Sequence, residues 1–236
     1  LKKKKVQIAT IEDPVEYAIA GVSQIQVNPK TNLTFAEGLR ALVRQDPDII
    51  MVGEIRDTET ANIAVNSALT GHLLLSTLHT NDAATALPRL MDMGVEPFLI
   101  ASTVNVIVAQ RLVRLSCHKC RKSEPLNADE LVLVEAEPSV KELLKAKGVR
   151  DWKKMNVYRG AGCKICGQTG YYGRIGIFEV LQINDKIRDL ITKKATSVEI
   201  NKVAMASGMN SILSDGLDKV LAGLTTLEEV LRIVKT

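Results

Sequence analysis

Along the first 113 residues, short apolar runs closed by charged or turn-forming residues alternate with stretches where apolar side chains recur every three or four positions. Val6 to Ile11 alternates imperfectly and predicts a strand. It stops at Glu12-Asp13-Pro14, where the proline biases Asp13 to extended backbone. Val22, Ile25 and Val27, set among polar neighbours, predict a second short strand or hairpin arm over 19–27. Thr34-Phe35-Ala36-Glu37 has capping-box spacing, and Phe35, Leu39, Leu42 and Val43 continue as a helical face that Pro47 ends. Ile49 to Val52 reads as a buried strand. Thr58 is placed as the N-cap of the next helix, with small residues Ala64, Ser67 and Ala68 on its packing face and Gly71 just past its end. Leu73-Leu74-Leu75 reads as another buried strand, Asp82 as the cap of a helix reaching about Met93, and Pro97 as the start of a helix reaching about Arg111. Strand, helix, strand, helix predicts an α/β fold with a mostly parallel sheet covered by helices.

The rhythm then changes. Two cysteine pairs frame a segment in which Leu131, Leu133, Val134, Leu143 and Leu144 predict short helices. Ile175, Ile177, Phe178, Val180 and Leu181 predict a strand leaving it. Beyond Asn184 the pattern is helical: Ile187, Leu190 and Ile191 form one face, Ile200, Val203 and Ala204 a second, Leu213, Leu217 and Val220 a third, with a last capped start at Thr226. These changes divide the chain into 1–113, 114–172 and 173–236.

Composition narrows the partners. The chain has 236 residues, 46% apolar and 25% charged, as in ordinary globular proteins. Aromatics are 3%, too few for a stacking platform on single-stranded nucleic acid. A net charge of +4, much of it from Lys2 to Lys5, is too mild to imply a nucleic-acid partner. The lysine run reads as a solvated chain end in preference to a polybasic lipid contact, which needs a longer cluster or an anchor. No apolar stretch reaches the roughly 18 residues of a membrane span. The chain also lacks an initiating Met and reads as a fragment of something longer.

Cys117-His118-Lys119-Cys120 and Cys163-Lys164-Ile165-Cys166 are two C-x2-C knuckles separated by residues 121–162. Two thiolates three positions apart on a tight turn can face one ion, and two such turns complete a tetrahedral sulfur site. The rivals are a pair of disulfides, rare in the cytosol, and a redox-active pair, which calls for a βαβ setting absent here. Structural zinc on Cys117, Cys120, Cys163 and Cys166 is the expectation, with His118 outside the shell. The segment from Cys117 to Cys166 carries 11 Lys and Arg against 7 Asp and Glu. A tetrathiolate zinc adds about −2, which leaves little positive charge for reading nucleic acid.

Three polar clusters sit at the ends of apolar strands: Glu12-Asp13-Pro14-Val15-Glu16; Glu54 with Arg56 and Asp57; and Thr70-Gly71-His72 through Thr77-Leu78-His79-Thr80-Asn81-Asp82. Strand ends of one sense line one edge of a parallel sheet, where ligands bind. Carboxylates there can hold Mg²⁺ through water, and one can orient the water that attacks a phosphoryl group. Each cluster also has a plain structural reading. Asp13 would then simply precede a proline turn, Glu54 pair with Arg56 or Arg44, Arg56 serve only as that partner, and His72 and His79 be satisfied histidines.

Taken together and in this order, the clusters resemble the secretion and traffic ATPase family that includes general secretion pathway protein E and the type IV pilus assembly ATPases. Thr10 to Tyr17 looks like its aspartate box, Arg44 to Asp57 its Walker B signature, and Thr70-Gly71-His72 through Asn81 its histidine box. The knuckles match the metal module of the secretion and pilus-extension members, and Asp215-Gly216 through Val230 also fits. The resemblance implies a RecA-like P-loop NTPase core, truncated, with an inserted tetracysteine zinc module and a C-terminal helical subdomain. It further implies a cytoplasmic homo-hexamer at the inner-membrane face, acting with a membrane platform protein and using ATP and Mg²⁺. Glu12 is the first choice to orient the attacking water and Glu54 to act on the Mg²⁺ side, roles the family could exchange. Asp13, Glu16, Arg56, His72 and His79 are implied nucleotide-site residues. The sequence holds no G-x-x-x-x-G-K-[ST], the loop that cradles phosphates. That loop is expected upstream of Leu1, and the chain alone is expected to hydrolyse ATP negligibly. The reading from another class is a non-catalytic zinc ribbon that binds nucleic acid or protein.

Overall fold

The computed structural model describes residues 6–234; the lysine run at 2–5 lies outside them. The chain forms two compact units, one of residues 1–107 and 181–207, the other of 108–180 and 208–236.

The first unit is built on a four-stranded, wholly parallel sheet in the order β2-β1-β3-β4, with β1 Ile8–Glu12, β2 Ser23–Gln26, β3 Ile49–Val52 and β4 Leu73–Ser76. Parallel pairing needs crossovers, and two of them are helices: α1, Phe35–Val43, and α2, Thr58–Leu69. The Thr34 hydroxyl caps α1 by accepting from Glu37 N–H. Asp57, not Thr58, caps α2, accepting from Thr60 N–H at 2.7 Å and Thr60 Oγ1 at 3.0 Å. Ile11, Ile50, Val52, Leu39, Leu42 and Ala64 are fully buried and make the centre of this core. The opposite sheet face carries Leu73 and Leu75, both close to half exposed. Helices α3, Ala86–Asp92, and α4, Pro97–Thr103, follow; α4 packs against α2 and against α7, Asp185–Thr192, which leads into α8, Ser197–Ala206. Buried Ile187, Ile191 and Ile200 place this last pair of helices in the first unit.

The helix expected from Pro97 to about Arg111 ends at Thr103. Val104 is extended, and Val106–Ser116 forms strand β5, paired with β8, Tyr171–Gln182. The β-branched run Val106-Ile107-Val108 favours the pleated conformation over the helix. The second unit adds an antiparallel pair, β6 Arg121–Pro125 with β7 Asn156–Gly160, and between them α5, Ala128–Ala136, and α6, Pro138–Ala146. Helices α9, Ile212–Leu221, and α10, Leu227–Val234, complete it. Val134, Val140 and Val157 from the segment between the knuckles share one core with Leu217, Leu227 and Val230 from these helices. The compact units therefore do not follow the three segments suggested by the sequence: the terminal helices are divided between the two bodies, each going where its apolar face is buried. Among the described residues, no helix is long and apolar enough to cross a membrane.

Candidate active site and metal centre

The carboxyl ends of β1, β3 and β4 meet at one rim of the parallel sheet. Gly53 N–H donates to the Ile11 carbonyl at 2.8 Å, Ile55 N–H to the Thr77 carbonyl at 3.0 Å, and Thr77 Oγ1 to the Gly53 carbonyl at 2.6 Å. Residues 53–55 thus run between the end of β1 and the exit of β4. Glu12 ends β1 and Glu54 follows β3, with Ile11 and Val52 in register. Both predicted carboxylates lie at the edge where an open α/β sheet binds ligands.

Glu54 is held on one oxygen. Its Oε2 accepts from Arg56 Nε at 2.5 Å and meets His79 Nε2 at 2.9 Å. The bond from Arg56, against partial desolvation and with help from His79, holds its carboxyl below the usual range. Glu12 is also held on one oxygen: Oε1 accepts from Thr10 Oγ1 at 2.5 Å and from Gln24 Nε2 at 3.0 Å. Asp13 and Glu16 are exposed on the loop leaving β1. This acidic, partly exposed rim suits a hydrated divalent cation, a hard ion that takes oxygen ligands through water.

His72 is elsewhere. It immediately precedes β4, whose first residue pairs with the first residue of β3, so it sits at the amino end of the sheet. Its Nδ1 lies 2.9 Å from the Ser67 carbonyl and 3.2 Å from Thr70 Oγ1, where it finishes the last turn of α2. The structure brings Glu12, Asp13, Glu54, Arg56 and His79 to one rim and leaves His72 at the other. Gln24 is not among the residues expected from the sequence, and Thr10 is expected there only as the first residue of the aspartate-box run; their shared contact with Glu12 follows from the parallel register that sets Thr10 opposite Gln24.

In the second unit the four cysteine sulfurs lie within 4.8 Å of one another. Cys117 and Cys163 Sγ are 3.9 Å apart, Cys120 and Cys166 3.9 Å, and Cys163 and Cys166 3.7 Å. A tetrahedron with Zn–S bonds of about 2.3 Å has edges of about 3.8 Å. The donor set fits that ion, and all four cysteines are free, not disulfide-bonded. His118 is exposed and outside the cluster. Cys163 and Gly170 N–H donate to Cys166 Sγ at 3.2 and 3.3 Å. Burial opposes ionisation of Cys166, yet these amides bring its thiol down to about 6, while burial pushes Cys120 up to about 12. Gly170 has φ +76°, and a Cβ on Gly160 would lie 2.0 Å from the Gly170 carbonyl oxygen. Cys117 N–H donates to that same carbonyl at 2.8 Å, so this glycine contact sets the spacing of the two knuckles.

A family model of type II/IV secretion system proteins matches residues 1–232. The chain belongs to this family. It is 52% identical over 225 residues to the type IV pilus assembly ATPase PilB of Thermus thermophilus, covering 94% of this chain and 24% of that protein. It is 48% identical over 235 residues to the type II secretion system ATPase E of Vibrio cholerae, covering 100% of this chain and 44% of that protein. Among solved structures, the pilus retraction motor PilT with bound ADP is similar at a TM-score of 0.65 and 26% identity, over 97% of this chain and 52% of that one. The chain thus spans less than half the length of these two curated relatives. The family expected from the aspartate-box, Walker B and histidine-box residues is the one found, and the α/β architecture with a parallel sheet agrees with it.

Proposed function

We propose that this chain is the carboxy-terminal part of a hexameric ATPase that drives assembly of a pilus or a secretion pseudopilus. It would work at the cytoplasmic face of the inner membrane through a platform protein embedded there. The observation that carries the proposal is the convergence of Glu12 and Glu54 at one rim of a parallel sheet, in a chain 52% identical to a named pilus assembly ATPase.

Phosphoryl transfer asks a protein mainly for positioning and charge stabilisation. Glu54 is assigned to the Mg²⁺ side, where it would act through water, with Arg56 and His79 fixing one of its oxygens. Glu12 is assigned to the attacking water, which it orients and relieves of a proton. Arg56 and His79 meet Glu54 at that rim, Asp13 follows Glu12 there, and Glu16 is exposed on the loop leaving β1. Magnesium would neutralise charge on the phosphates. The backbone amides and lysine of a phosphate-cradling loop would come from polypeptide outside this chain, whose sequence has no such motif. The four cysteines are assigned to structural zinc: a closed tetrathiolate has no open position for water and serves folding, not turnover.

Binding of a fluorescent mant-nucleotide tests the reading. The longer protein is expected to bind it in a Mg²⁺-dependent way and to hydrolyse ATP, whereas the isolated chain binds weakly and turns over negligibly. Turnover by the isolated chain would refute the division of labour, and absence of nucleotide binding by the longer protein would refute the motor.

A further inference from the structure

Gln24 makes three hydrogen bonds with one amide. Its Oε1 accepts from Ile19 N–H at 2.7 Å, and its Nε2 donates to the Tyr17 carbonyl at 3.1 Å and to Glu12 Oε1 at 3.0 Å. The two backbone partners fix the orientation of the amide, since Ile19 N–H can only donate and the Tyr17 carbonyl can only accept. Both N–H groups of the amide are then committed, one to the loop and one to the carboxylate. Thr10, directly opposite Gln24 in register and 5% exposed, donates to the same Glu12 oxygen. Both of these bonds fall on Oε1 of Glu12, and neither engages Oε2.

The loop that Gln24 grips leads from the end of β1 to the start of β2 with little packing of its own: Tyr17 is 80% and Ile19 50% exposed. From these contacts we infer that Gln24 is a positioning residue for Glu12. It selects the rotamer of Glu12 and couples that rotamer to the backbone of residues 17–19. The inference rests on the assignment of Glu12 to the attacking water. A misplaced general base loses rate without loss of nucleotide affinity, because orientation acts on the chemical step.

The test uses the longer protein and two substitutions. Gln24→Met keeps the length of the side chain and removes all three bonds. Gln24→Glu keeps an acceptor for Ile19 N–H, removes the donor to Glu12 and sets a second carboxylate against it. Each is expected to lower kcat about 10-fold, with KM for ATP and the unfolding temperature retained. Wild-type kcat in both variants would overturn the inference. So would a loss of kcat matched by a rise in KM and a fall in unfolding temperature, the signature of a merely structural role. Glu12→Gln, measured in parallel, separates the two levels. If it leaves turnover intact, the assignment of Glu12 fails and Gln24 has nothing to position. If it abolishes turnover while both Gln24 variants run at full rate, only the role of Gln24 fails.

Discussion

Gly53 and Ile11 touch backbone to backbone: the N–H of the first meets the carbonyl of the second at 2.8 Å. A Cβ on Gly53 would lie 3.3 Å from that carbonyl oxygen and 3.4 Å from Glu12 Cα. The contact is what lets the chain after β3 run beside the end of β1, bringing the two acids to one edge. Gly53→Val is therefore expected to cost about 1–3 kcal/mol through overpacking at this seam, read as a lower urea midpoint. An unchanged midpoint would mean the strands have room to separate.

The two histidines of the run 70–82 are expected to behave differently. His79 meets Glu54 at the rim, whereas His72 finishes the last turn of α2. His79→Ala in the longer protein should lower turnover about 10-fold or more, with stability kept. His72→Ala should cost about 1 kcal/mol of stability, with turnover kept. Steady-state rates and thermal melts on both variants check the pair of outcomes.

Removal of the metal should unfold the second unit. The cysteine turns are tied to the chain between α9 and α10: Ser116 N–H donates to the Leu224 carbonyl at 2.9 Å, and Arg121 Nη1 to the Gly223 carbonyl at 2.5 Å. One zinc per chain is expected by metal analysis. A strong chelator or Cys163→Ser should shift the fluorescence of Trp152, the single tryptophan of the chain, toward that of solvent-exposed indole. Retained fluorescence after complete metal loss would show that the sulfurs are dispensable for folding.

Glu229 sets an acid limit on the same unit. It is fully buried, accepts from Arg114 Nη2 at 2.5 Å and Arg114 N–H at 3.1 Å, and from Arg232 Nε at 3.0 Å. Burial opposes its charge, but the two arginines win and bring its carboxyl from 4.5 to about 2. A pKa lowered in the folded state adds stability above the ordinary value, and that stability drains away as pH falls from about 4.5 toward 2. At about 1.4 kcal/mol per pKa unit the contribution is about 3 kcal/mol. Glu229→Gln should remove roughly that much at pH 7 and flatten the acid side of the stability curve. Acid unfolding curves for the wild type and the variant measure both effects.

Much of the first unit is legible in the sequence because its strands are short apolar runs that end in charge, as in Ile49–Val52 before Glu54. The pattern fails where local chemistry and pairing disagree. Val106-Ile107-Val108 continues an apolar stretch from α4 yet turns to strand, because it pairs with β8, a partner too far along the chain for a local pattern to register. The β6–β7 pair is hidden because β6 carries Arg121, Lys122, Ser123 and Glu124 before Pro125, with no apolar alternation. At the site, both acids can be read from their places after apolar runs. His72 and His79 look like one cluster in sequence, but the four residues of β4 span about 13 Å and set them at opposite edges. The contact of Gln24 with Glu12 depends on register and has no signature of its own.

The central claim is that Glu12 and Glu54 act together on one magnesium-bound triphosphate. Mg²⁺-dependent ATP turnover by the longer protein, carrying Glu12→Gln or Glu54→Gln in turn, tests it most directly. Each substitution is expected to lower kcat about 100-fold or more at an unchanged unfolding temperature. Wild-type turnover in either variant would contradict it.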